Sequence, residues 1–599
     1  MKGPGDGIRK RAFKIGLSVE MDRYAHQTLL LRSFVRQFGD SVPAQYYDFY
    51  RGEISLEELK AIPDFQNEWR AAEQEVGGGP LRMGHAEADK RVEQRLCELL
   101  EKAGRDDRWV VIGGPPCQAF SSVGRVRNMA KPDYRQSEDE RIYAYIEYLK
   151  ILDQVQPDCF ILENVEGMLQ TSPGGEPIFP TILGQLKQPS EALLQMGNSK
   201  AAQRQLRESQ EYIILQAAES QGGGTSGSEY LVPIVDYGVP QDRKRVILIG
   251  VRKELIKDLD IDELPRLEKN TNSSGISSRV SVVDAIGDLP KIRSRISTRN
   301  FYGAKVKSKE SRRLGSLDCF INGFLSSESP KIDGGKSMPK NRVAADLELP
   351  RKTEFPVKLG SIPLRDEYVH YRDALKALRN SNKLPLESGD LWHCLLKKNA
   401  ELVSSFGKPA FSPDTLGNDA QDLDINDGSY LEVTRSFSGP EHLKRWLKDP
   451  SIKGVRNHES REHKGSDLLR YLYFATYSDG GSGKSKKIGL SDIPAFLQPD
   501  HANAGSGHFS DRFRVQVRGE PAKTITCHLG KDGHAFIHYD PVQCRALSVR
   551  EAARLQTFPD NYIFCGPVSE QRKQVGNAVP PWFALQLADL VFRLLNPKE

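Results

Sequence analysis

An α/β fold follows from three features of the sequence. Short apolar runs alternate with amphipathic stretches up to about residue 250, the texture of strands and helices in an open sheet. Two of those runs end abruptly in polar residues able to do chemistry. Compact patterning then returns after residue 540, beyond a long stretch that lacks it. The strand candidates are residues 14–20, 109–113, 159–163 and 245–251, read as parallel neighbours. Between them, residues 141–154 carry Ile142, Tyr145, Ile146, Leu149 and Leu152 at helical spacing. Near the end, residues 548–557 and 582–595 read as two further helices.

The chain has 599 residues, enough for several domains or one enlarged enzyme. Its 85 basic and 80 acidic residues leave a slight excess of +5, which permits a nucleic-acid partner without requiring one. Eight scattered cysteines form no C-x-x-C pair, which argues against a zinc ribbon or a redox motif, and a disulfide framework would need them denser. A reducing cytoplasm fits. The first residues, MKGPGDGIRKRAFKIG, lack the apolar core of a signal peptide, and no apolar run looks long enough to cross a bilayer. A soluble cytoplasmic protein with no membrane and no metal is expected.

Residues 1–262 read as one compact part of the chain and 521–599 as a segment that returns to the same patterning. Between them, residues 263–520 are richer in glycine, serine and charge. The polar stretch 270–278 marks the boundary, and basic clusters at 291–309 and 456–464 are candidates for holding phosphates.

The strongest chemical signal is Gly113-Gly114-Pro115-Pro116-Cys117-Gln118, directly after the apolar run WVVI. A thiol at the carboxyl end of a parallel strand stands in the crevice where open α/β sheets bind ligands. The two prolines stiffen the turn that aims it. Taken alone, a Pro-Cys pair is usually a free cysteine in a turn; the strand and double glycine shift that balance. The second signal is Glu163-Asn164-Val165, at the end of the run FIL, where a carboxylate can donate a proton. The third is Gln241-Asp242-Arg243-Lys244-Arg245, whose alternate residues Gln241, Arg243 and Arg245 are expected to project together. Guanidinium groups there suit a carbonyl oxygen or phosphates.

In this order the three elements resemble the C5-cytosine-specific DNA methyltransferase family of bacterial or phage restriction-modification type. The likeness continues through residues 545–560 (RALSVREAARLQTFPD) and ends at 574–581 (QVGNAVPP). It covers roughly the first 250 and the last 60 residues. The resemblance implies a Rossmann-like S-adenosylmethionine-dependent methyltransferase domain, its catalytic part made of residues 1–262 and completed by the return segment 521–599, with residues 263–520 as a large inserted target-recognition domain.

By that resemblance Cys117 is the nucleophile, with Pro116, Glu163, Arg243 and Arg245 beside it in the catalytic set. Gln118, Ser121, Gly124, Asn164 and Gln241 would face the substrate. Glu20, Met21, Gly114, Pro115, Asn577 and Val579 would hold the cofactor, S-adenosyl-L-methionine. The substrate implied is a cytosine flipped out of double-stranded DNA at a specific sequence, with a companion restriction endonuclease as a further partner. One departure is plain. The family's opening Phe-x-Gly-x-Gly-Gly loop is represented only by Gly3-Pro4-Gly5, which predicts weakened cofactor binding. A tRNA cytosine-C5 methyltransferase and a catalytically impaired DNA-binding or defence protein are the alternative readings. Residues 478–485 (SDGGSGKS) imitate a phosphate loop without its leading glycine or following helix, and His458 and His463 lack a third metal ligand.

Overall fold

The computed structural model describes residues 12–104, 106–115, 144–172, 176–197, 210–219, 227–271, 278–296, 426–463, 465–478, 513–531 and 533–596, with single positions between 400 and 493. Its centre is a five-stranded sheet in the order β1-β2-β6-β3, with β4 also paired to β6. The strands are β1 (Val110–Gly113), β2 (Cys159–Val165), β3 (Tyr212–Gln216), β4 (Leu231–Pro233) and β6 (Lys244–Arg252). A short β5 (Gln241–Asp242) lies outside this sheet and pairs with β7 (Ala522–Lys523).

Both faces of the sheet are covered, so its central strands are apolar on both sides. Phe160, Leu162, Val246 and Leu248 point to one face and pack with helices α6 (Tyr145–Val155), α7 (Ile178–Lys187) and α8 (Pro189–Gln195). The alternate residues Cys159, Ile161, Ile247, Ile249 and Val251 point to the other, against the last helix, α14 (Pro581–Leu595). Strands β1 and β2 are parallel, as expected. β6 is not: it runs antiparallel to β2, β3 and β4. Only residues 234–243 separate β4 from β6, fewer than the dozen that a parallel crossover needs.

Residues 14–20, expected as a strand, join no sheet. Their backbone is tied instead to the end of a helix and the turn after it, through Ser18 N–H to Glu75 O (2.7 Å) and Leu81 N–H to Glu20 O (2.8 Å). Leu17 packs beside β1, but Phe13, Ile15, Val19 and Met21 stay exposed. Asp22 then caps α1 (Arg23–Gln37), accepting from the amides of Tyr24 and Ala25. α1 packs with α2 (Ala44–Arg51), α3 (Leu56–Ala61) and α4 (Gln66–Glu75) in a satellite core, while α5 (Ala86–Lys102) packs beside β1.

A further core joins distant stretches of sequence. Val280, Val282 and Ile286 of the α9 region (α9, Val282–Ile286) and Leu443 and Leu447 of α10 (Glu441–Leu447) pack with Leu547, Ala552 and Leu555. The last three flank or lie on α12 (Val549–Leu555), which follows α11 (Gly465–Ser478). Across the expected boundary, Asn270 and Ser278 hydrogen-bond to each other in both directions (2.8 and 3.0 Å).

Contrary to the expectation of no such run, one stretch among the described residues, Val568–Leu595, is long and apolar enough to cross a membrane by length and composition. In the fold it is two helices, α13 (Val568–Asn577) and α14, broken at Ala578–Pro580. α14 spends its apolar face on the sheet, burying Trp582, Phe583, Leu587, Leu590 and Leu594.

Candidate active site

The carboxyl ends of β1 and β2 lie side by side, with Gly113 opposite Leu162, so the residues just beyond them share one crevice. The double glycine there has a packing reason. A Cβ on Gly113 would lie 2.5 Å from the ring of Tyr148, whose hydroxyl donates to the carbonyls of Ile161 (2.9 Å) and Val111 (3.2 Å) and so bridges the two strands. A Cβ on Gly114 would lie 3.2 Å from Oε2 of Glu163. Both positions therefore exclude larger side chains, and the backbone approaches the carboxylate closely.

Asn164 is buried and works on both sides of this turn. Its amide Nδ2 donates to the carbonyl of Pro115 (3.4 Å), and its Oδ1 accepts from the amide of Val165 (2.8 Å). Arg245 enters from the antiparallel strand, where it stands opposite Val165, and its Nε pairs with Glu163 Oε1 at 2.6 Å. The two side chains are 11% and 18% exposed, so the pair is enclosed but open to one side. Thus Gly114, Pro115, Glu163, Asn164 and Arg245 converge. Pro116, Cys117, Gln118, Ser121 and Gly124 lie outside the described residues.

Gln241 and Arg243 do not project into this crevice with Arg245. Gln241 is fully buried: its Oε1 accepts from Ile525 N–H (2.7 Å), and its Nε2 donates to Gln556 Oε1 (3.1 Å) and Leu555 O (3.3 Å). Arg243 donates to the carbonyls of Ile525 (2.9 Å) and Ala578 (3.0 Å). The expected common face fails because this stretch is not one regular strand: residue 243 separates β5 from β6. Both side chains instead fasten the chain's last segment to the sheet, and Arg243 fixes the turn that holds Asn577 and Val579.

On the other flank, Glu20 is half-buried, and its Oε1 accepts from the amide of Asp22 (2.7 Å). Met21 is 59% exposed. Asp22 pairs with Lys573 (3.0 Å), and Thr28 donates to Gln574 (2.8 Å), so the start of α1 lies along α13. At the far end of α13 Asn577 is exposed and Val579 half-buried.

Three arginines in residues 545–560 are fully buried, a role that no local pattern announces. Arg545 forms a two-pronged pair with Glu551 (2.6 and 2.7 Å). Arg554 joins Asp560 (2.7 Å) and Asp288 (2.5 Å), and Arg550 donates to the carbonyls of Arg456, Pro559 and Tyr562. The Ser548–Glu551 capping box, readable as S-x-x-E, was the available hint. In the basic cluster at 456–464, Asn457, His458 and His463 are buried, while Arg456 and Arg461 are half-buried and Arg456 donates to Phe49 O (3.1 Å).

The comparisons with known proteins agree with this arrangement. A family model described as C-5 cytosine-specific DNA methylase matches residues 100–189, 196–337 and 448–593, more than half of the chain. The chain belongs to that family. The matched ranges include β1, β2, β6 and the buried arginine segment, so the methylase's crevice and its scaffold fall within them. Similar proteins include the type II methyltransferase M.Bpa9945I of Bacillus paralicheniformis, 25% identical over 99% of this chain and 97% of that one. The DNA (cytosine-5-)-methyltransferase M.ApeKI of Aeropyrum pernix is 24% identical over 82% of each chain. The type II methyltransferase M.NgoFVII of Neisseria gonorrhoeae is 38% identical, over 34% of this chain and 50% of its own.

Proposed function

We propose that the methylase transfers a methyl group from S-adenosyl-L-methionine to carbon 5 of a cytosine flipped out of a specific double-stranded DNA sequence, through a covalent bond to Cys117. The observation that carries this reading is the joint at the ends of β1 and β2. There the backbone of Gly114 and Pro115 is held against Glu163 and Asn164, two to three residues before the thiol.

Cytosine carbon 5 becomes nucleophilic once carbon 6 has been attacked, and the Cys117 thiolate would form that bond. Glu163 would hydrogen-bond N3 and stabilise the charge that develops on the ring. Arg245, paired with Glu163, would hold the carbonyl O2 of the base. After methylation, loss of the proton on carbon 5 and departure of Cys117 restore the aromatic ring. Flipping the base costs a few kcal/mol of stacking and pairing, and Gln118, Ser121 and Gly124 belong to the loop that would meet the DNA.

The cofactor supplies an electrophilic methyl on a sulfonium. The residue types fit a nucleoside of that kind: Glu20 would offer a carboxylate for ribose hydroxyls, the exposed Met21 an apolar surface for adenine, and Asn577 and Val579 would close the methionine end. Two of the similar proteins are named type II methyltransferases, which supports a place in a restriction-modification system beside an endonuclease. Residues 263–520 would supply target recognition, and their described parts pack onto the return segment.

Incubation with labelled S-adenosylmethionine and genomic DNA, followed by mapping of modified cytosines, should show methylation at one sequence, with tRNA unlabelled. Cys117→Ser should abolish the signal. Full transfer by that variant would overturn the mechanism.

A further inference from the structure

Arg572 sits midway along α13 and is 4% exposed, yet its Nε and Nη2 are enclosed with no hydrogen-bond partner. The turn Cys527–Gly530 closes over its base: a Cβ on Gly530 would come within 3.8 Å of the Arg572 Cβ. A second guanidinium, Arg461, stands near it and is held from behind by the carbonyls of Leu529 (3.4 Å) and, at the surface, Lys531. Burial, then the neighbouring Arg461, pushes the Arg572 guanidinium down to about 10, so it still carries its charge at neutral pH.

The surrounding groups do not balance these two cations. Glu551 is engaged by Arg545, and burial keeps His463 neutral. Glu459 acts on Arg572 but forms no ion pair with it among the described residues, and its carboxylate lies against Gly428. An enclosed guanidinium with unmade hydrogen bonds is costly unless an anion completes it. The buried Arg545, Arg550 and Arg554 are saturated with carboxylates or carbonyls. Arg243 and Arg245 each leave one enclosed nitrogen without a hydrogen bond, whereas Arg572 leaves two on one guanidinium.

We propose that Arg572 and Arg461 form a site for one phosphate-type oxyanion, filled by a backbone phosphodiester when DNA is bound. It would add a fixed point holding α13, and hence Asn577, in register with the duplex. The DNA source rests on the function proposed above; the oxyanion site itself does not.

The test uses the full chain, with Arg572→Met and Arg572→Lys. Because Nε and Nη2 of the guanidinium make no hydrogen bond, Arg572→Met should fold with an unchanged or higher melting temperature. DNA affinity is measured by anisotropy on a duplex over a range of NaCl concentrations. Arg572→Met should lower the slope of log affinity against log salt by about 0.9, the loss of one phosphate contact, while Arg572→Lys should keep most of it. In parallel, inorganic phosphate is titrated against melting temperature at constant ionic strength. Saturable stabilisation of the wild type, lost in Arg572→Met, with an unchanged DNA slope would assign the site to free phosphate instead. An unchanged slope together with no phosphate effect overturns the proposal. If the wild type binds no DNA, the functional reading fails and the phosphate titration alone decides the site.

Discussion

Gly114 and Glu163 show how little freedom the crevice has. A methyl group at position 114 would press on the carboxylate from 3.2 Å, and Glu163 can yield only by loosening its pair with Arg245. Gly114→Ala should therefore lower kcat/KM by about 10²-fold, the usual consequence of a displaced catalytic group, with little change in melting temperature. Glu163→Gln keeps the shape but not the charge or the acid. Its kcat should fall roughly 10²- to 10⁴-fold in a methyl-transfer assay, and a variant of undiminished activity would remove Glu163 from the mechanism. The identity of these residues was legible in the sequence because strand ends announce themselves: an apolar run stops and glycine, proline or acid follows. What Asn164 does was not. Its bond to Pro115 crosses between two strands that 45 or more residues of chain separate, and no local pattern records such a contact.

α12 was readable as a helix from its capping box and apolar spacing, yet its charges were open to misreading. Arginines at this density look like a surface, whereas here all three are inside the core, Arg545 and Arg554 paired with carboxylates and Arg550 with backbone carbonyls. Burial alone would raise the Glu551 carboxyl, but Arg545 and then His538 hold it well below the usual range. Glu551→Gln would strand Arg545 in the interior and should cost about 3–5 kcal/mol in urea unfolding. His458 lies beneath the same helix, bonded to Ser548 Oγ and Pro290 O (both 2.8 Å). Burial lowers its pKa to about 4. A histidine with a depressed folded pKa stabilises fully above its unfolded value near 6.5 and loses that stability as pH falls toward 4. The unfolding free energy should thus drop between pH 6.5 and 4, by up to about 3 kcal/mol, and His458→Gln should flatten this part of the profile.

The molecule as a whole depends on its last segment returning to the sheet. Gln241 and Arg243 grip Ile525 and Ala578, and α13 packs so closely on Thr526 and Cys527 that a Cβ on Gly576 would lie 2.2 Å from backbone. Arg243→Met would leave two buried carbonyls unmet, so stability should fall by roughly 2–5 kcal/mol and methyl transfer should decline with it. Gly576→Ala should behave alike, since backbone cannot step aside as a side chain can; calorimetry and methyl-transfer rates on both variants check this. The α/β class, the Gly-Gly-Pro-Pro turn after β1, the acid near the end of β2 and the family were all legible without coordinates, because each is written in a short contiguous stretch. Only the tertiary structure decided that β6 runs antiparallel, that residues 14–20 join no sheet, that Arg243 is a fastening while Arg245 faces the carboxylate, and which basic residues go inside. Those outcomes depend on partners hundreds of residues away, and a charge or an apolar run looks the same in sequence whatever it will meet.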